Sequence, residues 1–398
     1  MKIAFIGQKG LPTIYGGVER HVEELAVRLV KRGHTVTVYC REWYTGSKNP
    51  VYKGIDLRYT KSIHTKNLDA ITGTLTATLD ALRQDFDVIH YHGVGPALLA
   101  WLPRIFKPSV KVVVTFHCQD RLHGKWGLFA RLMLAFGERA ACWFPHKTIA
   151  VSKTLKKYVK EKYGRDAVYI PNGVNADEEI KDFSILAGLG LKKENYILSV
   201  SRLVSHKATH QLIDAFKFLK DSDSRNLYNG LKLAIVGEGV ETDNYVRYLK
   251  SLVDGREDIV FIGWKIGKDL SALFSNAKLF VHPSLSEGLP LVVLEAMSYA
   301  RPVIASNILE HMELISDKRF LFKAGDSLCL MAAFFWALAN PEICRVNGIC
   351  NKQKVEREYN WELSYEKLEN FYKMLFLSKE KSEELIPNFK VKKIGIKA

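Results

Sequence analysis

The chain has 398 residues, 47% of them hydrophobic and 25% charged, with six scattered cysteines and no Cys-x-x-Cys pair. That length suits two ordinary domains, and the balance excludes a disordered, collagen-like or disulfide-stapled polypeptide and points to reduced thiols. The net charge of +15 is uneven: residues 1–175 hold 27 Lys+Arg against 13 Asp+Glu, the rest 31 against 30, so an anionic partner suits the first half, with a merely solubilising surface as the plainer alternative.

In chain order, the apolar run 3–6 reads as a strand that leads into a Gly- and Pro-rich turn, residues 7–17. Residues 21–32 follow helical periodicity through Val22, Leu25, Ala26 and Leu29, and Gly33 stops the helix. Further strands are expected at 35–40 (TVTVYC), 87–92 (DVIHYH), 111–116 (KVVVTF), 147–151 (KTIAV) and 167–170, where Pro171-Asn172-Gly173 turns the chain. The pattern then restarts, with strands at 196–200, 232–236, 259–262, 278–282 and 302–306 and helices at 210–219 and 291–300. Alternating strands and helices predict parallel sheets covered on both faces. The fold class is therefore α/β, two Rossmann-like parallel-sheet domains facing a cleft. The first domain is assigned residues 1–175 and the second 176–360. An amphipathic helix follows at 361–377, and a Lys-rich tail, 378–398, is read as loose. The run 331–339 (MAAFFWALA) has the length of a buried helix, no segment suits a bilayer span, and the N-terminus does not read as a signal peptide.

In such folds ligands bind beyond the carboxyl ends of strands. The loop Ser286-Glu287-Gly288-Leu289-Pro290 follows one strand and opens a helix, with Pro290 suited to its first position. Amides at 288–292 would make an anion site fit for a diphosphate. Glu287 and Glu295, with seven residues between them, bring two carboxylates toward one polyhydroxy ligand. The bland alternative is a surface Glu and a helix-stabilising Glu. Arg202 and Lys207, after the strand at 196–200, would neutralise a diphosphate. Gly16-Gly17 lets backbone approach a phosphate, but Gly7-Gln8-Lys9-Gly10 lacks the spacing of a dinucleotide fingerprint, so NAD is not expected. His117, just after a buried strand, would bond a sugar hydroxyl or shuttle a proton, unless it is an ordinary core histidine. His90 and His92 share one strand face, yet no third ligand is spaced to join them, so no metal is expected. Serine-hydrolase, P-loop, zincin, kinase and nucleic-acid-binding motifs are not found.

These residues resemble glycosyltransferase family 4, retaining enzymes of GT-B architecture. The second half carries the likeness through SVSRLVSHKATHQLIDAF, AIVGEG, FIGWK and FVHPSLSEGLPLVVLEAMSYARPVIAS, with the Glu-x7-Glu element intact. The first half, through IGQKGLPTIYGGVERHVEELAVRL, HYHGVGPALLAWLPRI and VVVTFHCQDRLHGKWG, is similar to a rhamnosyltransferase-like subgroup. The resemblance implies that Arg202 and Lys207 hold the donor diphosphate, which the Gly16-Gly17 loop approaches. It gives Glu295 the ribose, Glu287 hydroxyls of the transferred sugar, and the amides of Gly288 and Leu289 the phosphate. His117 would contact the sugar, backbone at Gly263 to Lys265 the base, and the helix 361–377 would cross back to the first domain. Three departures stand out. Ala208 replaces the usual Gly after the phosphate lysine, a change to be tolerated unless φ is positive; Ser205-His206 stand where an acidic residue is common; Cys118 replaces a Gly.

The implied activity is retaining transfer of a hexosyl or deoxyhexosyl group, rhamnosyl if the subgroup is followed. It would run from a nucleotide-sugar donor to a hydroxyl of a lipid-linked saccharide acceptor, in cell-surface polysaccharide synthesis. No metal or other cofactor and no nucleic acid is expected. The expected location is cytoplasmic, peripheral to an anionic membrane face. Trp126, Leu128, Phe129, Leu132 and Phe136 with Arg121, Lys125 and Arg131 would form the membrane patch, or else a core helix with a basic outer face. Two alternatives remain open: a related enzyme with a soluble sugar acceptor, of sucrose- or trehalose-synthase type, and a non-catalytic nucleotide-sugar-binding protein.

Overall fold

A computed structural model of the chain describes residues 1–46, 48–65, 68–122, 127–175, 184–239 and 242–377. The tail 378–398, the junction 176–183, Lys125 and Trp126 lie outside the described residues.

The first sheet contains β1 (Lys2–Ile6), β2 (Thr35–Arg41), β3 (Val51–Tyr52), β4 (Ile55–Thr60), β5 (Val88–His92), β6 (Lys111–Phe116), β7 (Lys147–Ala150) and β8 (Val168–Tyr169). Their order is β3-β4-β2-β1-β5-β6-β7-β8. Only the short β3–β4 hairpin is antiparallel. Ile3 to Ile6 and all five residues of β5 are buried, as a sheet covered on both faces requires. β1 pairs with β2 on one side and β5 on the other. The strand order therefore reverses beside β1, and a crevice opens beyond its carboxyl end. The Gly16-Gly17 turn lies there and starts the helix Gly17–Lys31.

The second sheet is wholly parallel: β9 (Tyr196–Val200), β10 (Lys232–Val236), β11 (Ile259–Gly263), β12 (Leu279–His282), β13 (Val303–Ser306) and β14 (Leu321–Phe322), in the order β11-β10-β9-β12-β13-β14. Its order reverses between β9 and β12. The loops after those two strands carry Arg202 and Lys207 on one side and Glu287 on the other.

The crossing helix spans Trp361–Met374, three residues short of the expected end. Asn360 caps it by accepting the Leu363 N–H. Trp361, Tyr365, Leu368, Phe371 and Tyr372 bury themselves in the core shared with β1 and the helix Gly17–Lys31. Gly173 passes so close to this helix start that a Cβ would sit 2.4 Å from backbone atoms of Asn360 and Trp361. The run 331–339 falls in the helix Ser327–Ala339, which buries Leu330, Phe334 and Ala337. Among the described residues no single helix is long and apolar enough to cross a membrane.

Candidate active site

The two switch points face each other across a cavity of about 450 Å³, ordinary for a small-molecule site. Gly16, Gly17, His117, Arg202, Lys207, Glu287, Gly288, Leu289 and Glu295 all line it. Gly263 does not. Its φ of 75° turns the chain out of β11, and the next residues, Trp264 and Lys265, reach the cavity instead.

On the first domain, the helix Gly17–Lys31 presents its first turn to this space without a side-chain cap. Its free N–H groups and positive dipole end suit an anion. Gly16 has φ 110°, and a Cβ there would meet the Glu19 carboxylate at 2.0 Å. Glu19 in turn accepts the Lys9 N–H at 3.0 Å, which fixes the loop.

On the second domain, Lys207 closes a 3-10 turn, Ser205–Lys207, and donates to Glu287 Oε1. His282 Nε2 donates to the same oxygen at 2.7 Å. Burial pushes the Glu287 carboxyl up, but Lys207 and His282 outweigh it and hold the group well below the usual carboxylate range. Burial also keeps His282 below the ordinary imidazole value, with Glu287 opposing in part. The site thus holds one carboxylate oriented by one cation and one neutral imidazole. Ala208 follows with φ 53° and ψ 34°. The departure from Gly therefore falls on a left-handed position, where a Cβ costs about 1–2 kcal/mol. The helix begins at Leu291, as expected, and Pro290 is its N-cap instead of its first residue.

His117 is buried and stands among other histidines. Its Nε2 meets His92 Nδ1 at 3.3 Å. His21 packs edge-on to it with ring centroids 4.8 Å apart. His90 bonds Tyr372 Oη and Thr115 Oγ1. Burial lowers His21 to about 4 and puts His90, His92 and His117 well below the usual imidazole range, so all four are neutral at pH 7. Among the described residues no third ligand joins the pair His90 and His92, but His92 groups instead with His21 and His117, each offering a ring nitrogen within 4.8 Å of the others. They come from a helix, a strand and a strand end, so no local spacing reveals them. His282, Glu287 and His311 form a similar group, but Lys207 already supplies a cation there.

Sequence reasoning also missed Asn172 and His282, and expected Trp264 only as backbone beside the base. Asn172 was read only as turn chemistry. His282 ends a strand inside the family-like stretch FVHPSLSEGLP, but nothing in that spacing gives it a role. Trp264 sits across the cleft from Tyr15, ring centroids 6.3 Å apart.

Two Rossmann-like domains meeting at paired switch points, with a small-molecule cavity between them and a carboxylate–lysine pair on one wall, have the architecture of a GT-B glycosyltransferase. The profile of Glycosyltransferase Family 4 matches residues 15–178, and that of Glycosyl transferases group 1 matches residues 181–352. An uncharacterized glycosyltransferase of Haemophilus influenzae is 34% identical over 344 residues, 82% of this chain and 88% of that protein. The phosphatidyl-myo-inositol mannosyltransferase of Mycobacterium leprae is 26% identical, over 92% of this chain and 95% of its own. Among solved structures, Anabaena HepE in complex with UDP and glucose matches with a TM-score of 0.75 at 18% identity, covering 94% of this chain and 99% of that one. The chain belongs to glycosyltransferase family 4.

Proposed function

We propose that the chain transfers a hexosyl or deoxyhexosyl group, with retention, from a nucleotide-sugar to a hydroxyl of a lipid-linked saccharide. It would do so at the cytoplasmic face of a membrane, in cell-surface polysaccharide synthesis. The observation that carries the donor half is the convergence of Arg202, Lys207, Glu287 and the Gly17 helix terminus on one cavity. In this reading Arg202, Lys207 and the amides of Gly288 and Leu289 bind the diphosphate, Glu295 the ribose, and Glu287 and His117 the sugar hydroxyls. The C1–O bond to the diphosphate breaks and the acceptor oxygen bonds C1 on the same face. The acceptor proton passes to the departing diphosphate oxygen, so no protein base is required. Catalysis is then positioning plus charge stabilisation, and the two cations do the work at the diphosphate without a metal there.

The acceptor half rests on the helix Leu128–Trp143. Leu128 and Phe129 are each 78% exposed, and Leu132 and Phe136 are also exposed. Trp101, Ile105 and Phe106 add a second exposed apolar ridge. Exposed Arg104, Arg131 and Arg139 lie on the same two segments, the pairing expected of an interfacial surface. Arg121 does not join them, because it is tied to the buried carboxylate of Glu138.

Binding and slow hydrolysis across UDP-, GDP- and dTDP-sugars, with no added divalent cation, test the donor half. One preferred donor is expected, and Glu287→Gln should keep it bound while losing turnover. No binding by any donor would sink this half. Vesicles test the other half: binding should need anionic lipid and weaken with salt. Equal binding to neutral vesicles would remove the membrane and favour a soluble acceptor.

A further inference from the structure

We infer that Asn172 and His21 are positioning residues through which the donor-binding loop of the second domain sets the orientation of His117 in the first. The inference rests on the donor-loop reading above and adds to it a coupling between the domains.

The argument begins with one amide. Asn172 Nδ2 donates to the Leu289 carbonyl at 3.1 Å, across the domain boundary. A carbonyl only accepts, so this bond fixes which end of the amide is nitrogen. Asn172 Oδ1 must then accept, and its partner is His21 Nδ1 at 2.9 Å. His21 therefore carries its proton on Nδ1. Its Nε2 is bare and has no partner within the buried cluster. The tautomer of a histidine in the first domain is thus written by a carbonyl in the second.

His21 passes this constraint on through packing. Its ring stands edge-on to His117 at 87° and also contacts His92 and Trp361. His92 holds His117 Nε2. The donor loop touches the same histidine a second time, because Gly288 lies against the His117 carbonyl. Two consecutive loop residues, Gly288 and Leu289, therefore grip the backbone of His117 and the amide that orients its neighbour. When the domains part, both contacts go together. The amide is then released to turn over and offer nitrogen to His21, which must move its proton to Nε2. A closed cleft thereby selects one arrangement of the imidazoles beside the sugar, and an open cleft does not.

The test uses the full chain and two variants. Long-range 1H–15N correlation reads the His21 tautomer, assigned by its loss in His21→Phe. In wild type with the preferred nucleoside diphosphate bound, His21 should be Nδ1-protonated. In Asn172→Ala the two tautomers should mix, kcat should fall about tenfold or more, and nucleotide Kd should move less than about threefold. Asn172→Asp still accepts from His21 Nδ1 but cannot donate to Leu289. It should keep the tautomer and lose kcat. Wild-type kcat in either variant overturns the inference, as does an Nε2-protonated His21 in the closed wild type. So does a parallel fall in kcat and affinity, which marks a merely structural residue. If no nucleotide binds wild type, the donor reading has failed instead, and the tautomer in the free protein still separates Asn172→Ala from Asn172→Asp.

Discussion

Gly288 offers a way to block closure without harming either domain. Its φ is not left-handed, so alanine carries no backbone strain there. The obstacle lies in the other domain: an added Cβ would sit 1.7 Å from the His117 carbonyl oxygen and 2.8 Å from its carbon. An ordinary carbon–oxygen contact is about 3.3 Å, so the loop and His117 must separate by about 1.6 Å. Neither can retreat freely, since His117 ends a buried strand region and Leu289 is itself buried. The separation is therefore taken up between the domains. A misplacement of about 1 Å typically costs about a hundredfold in rate. Gly288→Ala should then lose at least that in kcat while its melting temperature stays within about 2 °C of wild type. Stopped-flow kinetics with a distance reporter across the cleft would follow both closure and turnover. Near-normal kcat would refute the close approach, and a large loss of melting temperature would show that the clash is met by unfolding a domain.

Stability should fall as pH drops from about 6.5 toward 4. Unfolded histidines bind a proton in that range, whereas His21 resists it down to about 4 and His311 to about 3. Each costs about 1.4 kcal/mol per pH unit, and a melting temperature flat from pH 7 to 5 would contradict neutral burial. Ala208→Gly should leave the melting temperature nearly unchanged, because about 1–2 kcal/mol of left-handed strain is exchanged for about 0.5–1 kcal/mol of chain entropy and about 0.8 kcal/mol for the buried methyl; a large drop in a thermal scan would refute this. Lys207→Ala should cost about 3–5 kcal/mol by stranding Glu287. Arg202→Ala, which breaks no ion pair among the described residues, should cost turnover with little stability. Denaturant midpoints of the two variants decide, and equal losses would refute the distinction.

The strand and helix alternation was legible because most strands here are short apolar runs ending at polar turns. Several elements escaped, and two show why. The β3–β4 hairpin has only two residues in its first strand. The helix Asp69–Leu82 is rich in threonines that bond back to their own helix, Thr74 to the Ala70 carbonyl and Thr78 to that of Thr74, so it shows little apolar periodicity. The candidate site was legible residue by residue at strand ends, but its pairings were not. Lys207 and Glu287 are 80 positions apart, and His21 and Asn172 are 151 apart. The adjacency of β9 with β12 brings the first pair together, and the folding of the first domain, which sets the turn after β8 beside the helix Gly17–Lys31, brings the second. The helix Leu128–Trp143 shows the opposite difficulty. Its apolar stripe fits a core or an interface equally, and only the packing reveals which face was left uncovered.

The charge asymmetry of the sequence takes a definite direction in the structure. The first domain is the basic one, yet its wall of the cavity is close to neutral. His117, which lines it, and the buried His21, His90 and His92 grouped behind it are held uncharged. Its charged cavity residues are already matched, Arg20 with Glu24 and Glu23 with Lys53. Among the described residues, the cations that face the cavity unmatched or singly paired, Arg202, Lys207 and Lys265, belong to the nearly neutral second domain. The basic excess of the first domain is therefore not spent on the donor. Part of it lies outside the cleft, at Arg104, Arg131 and Arg139, beside the exposed apolar side chains. A field placed there acts on whatever approaches that outer face and not on a ligand inside the cleft.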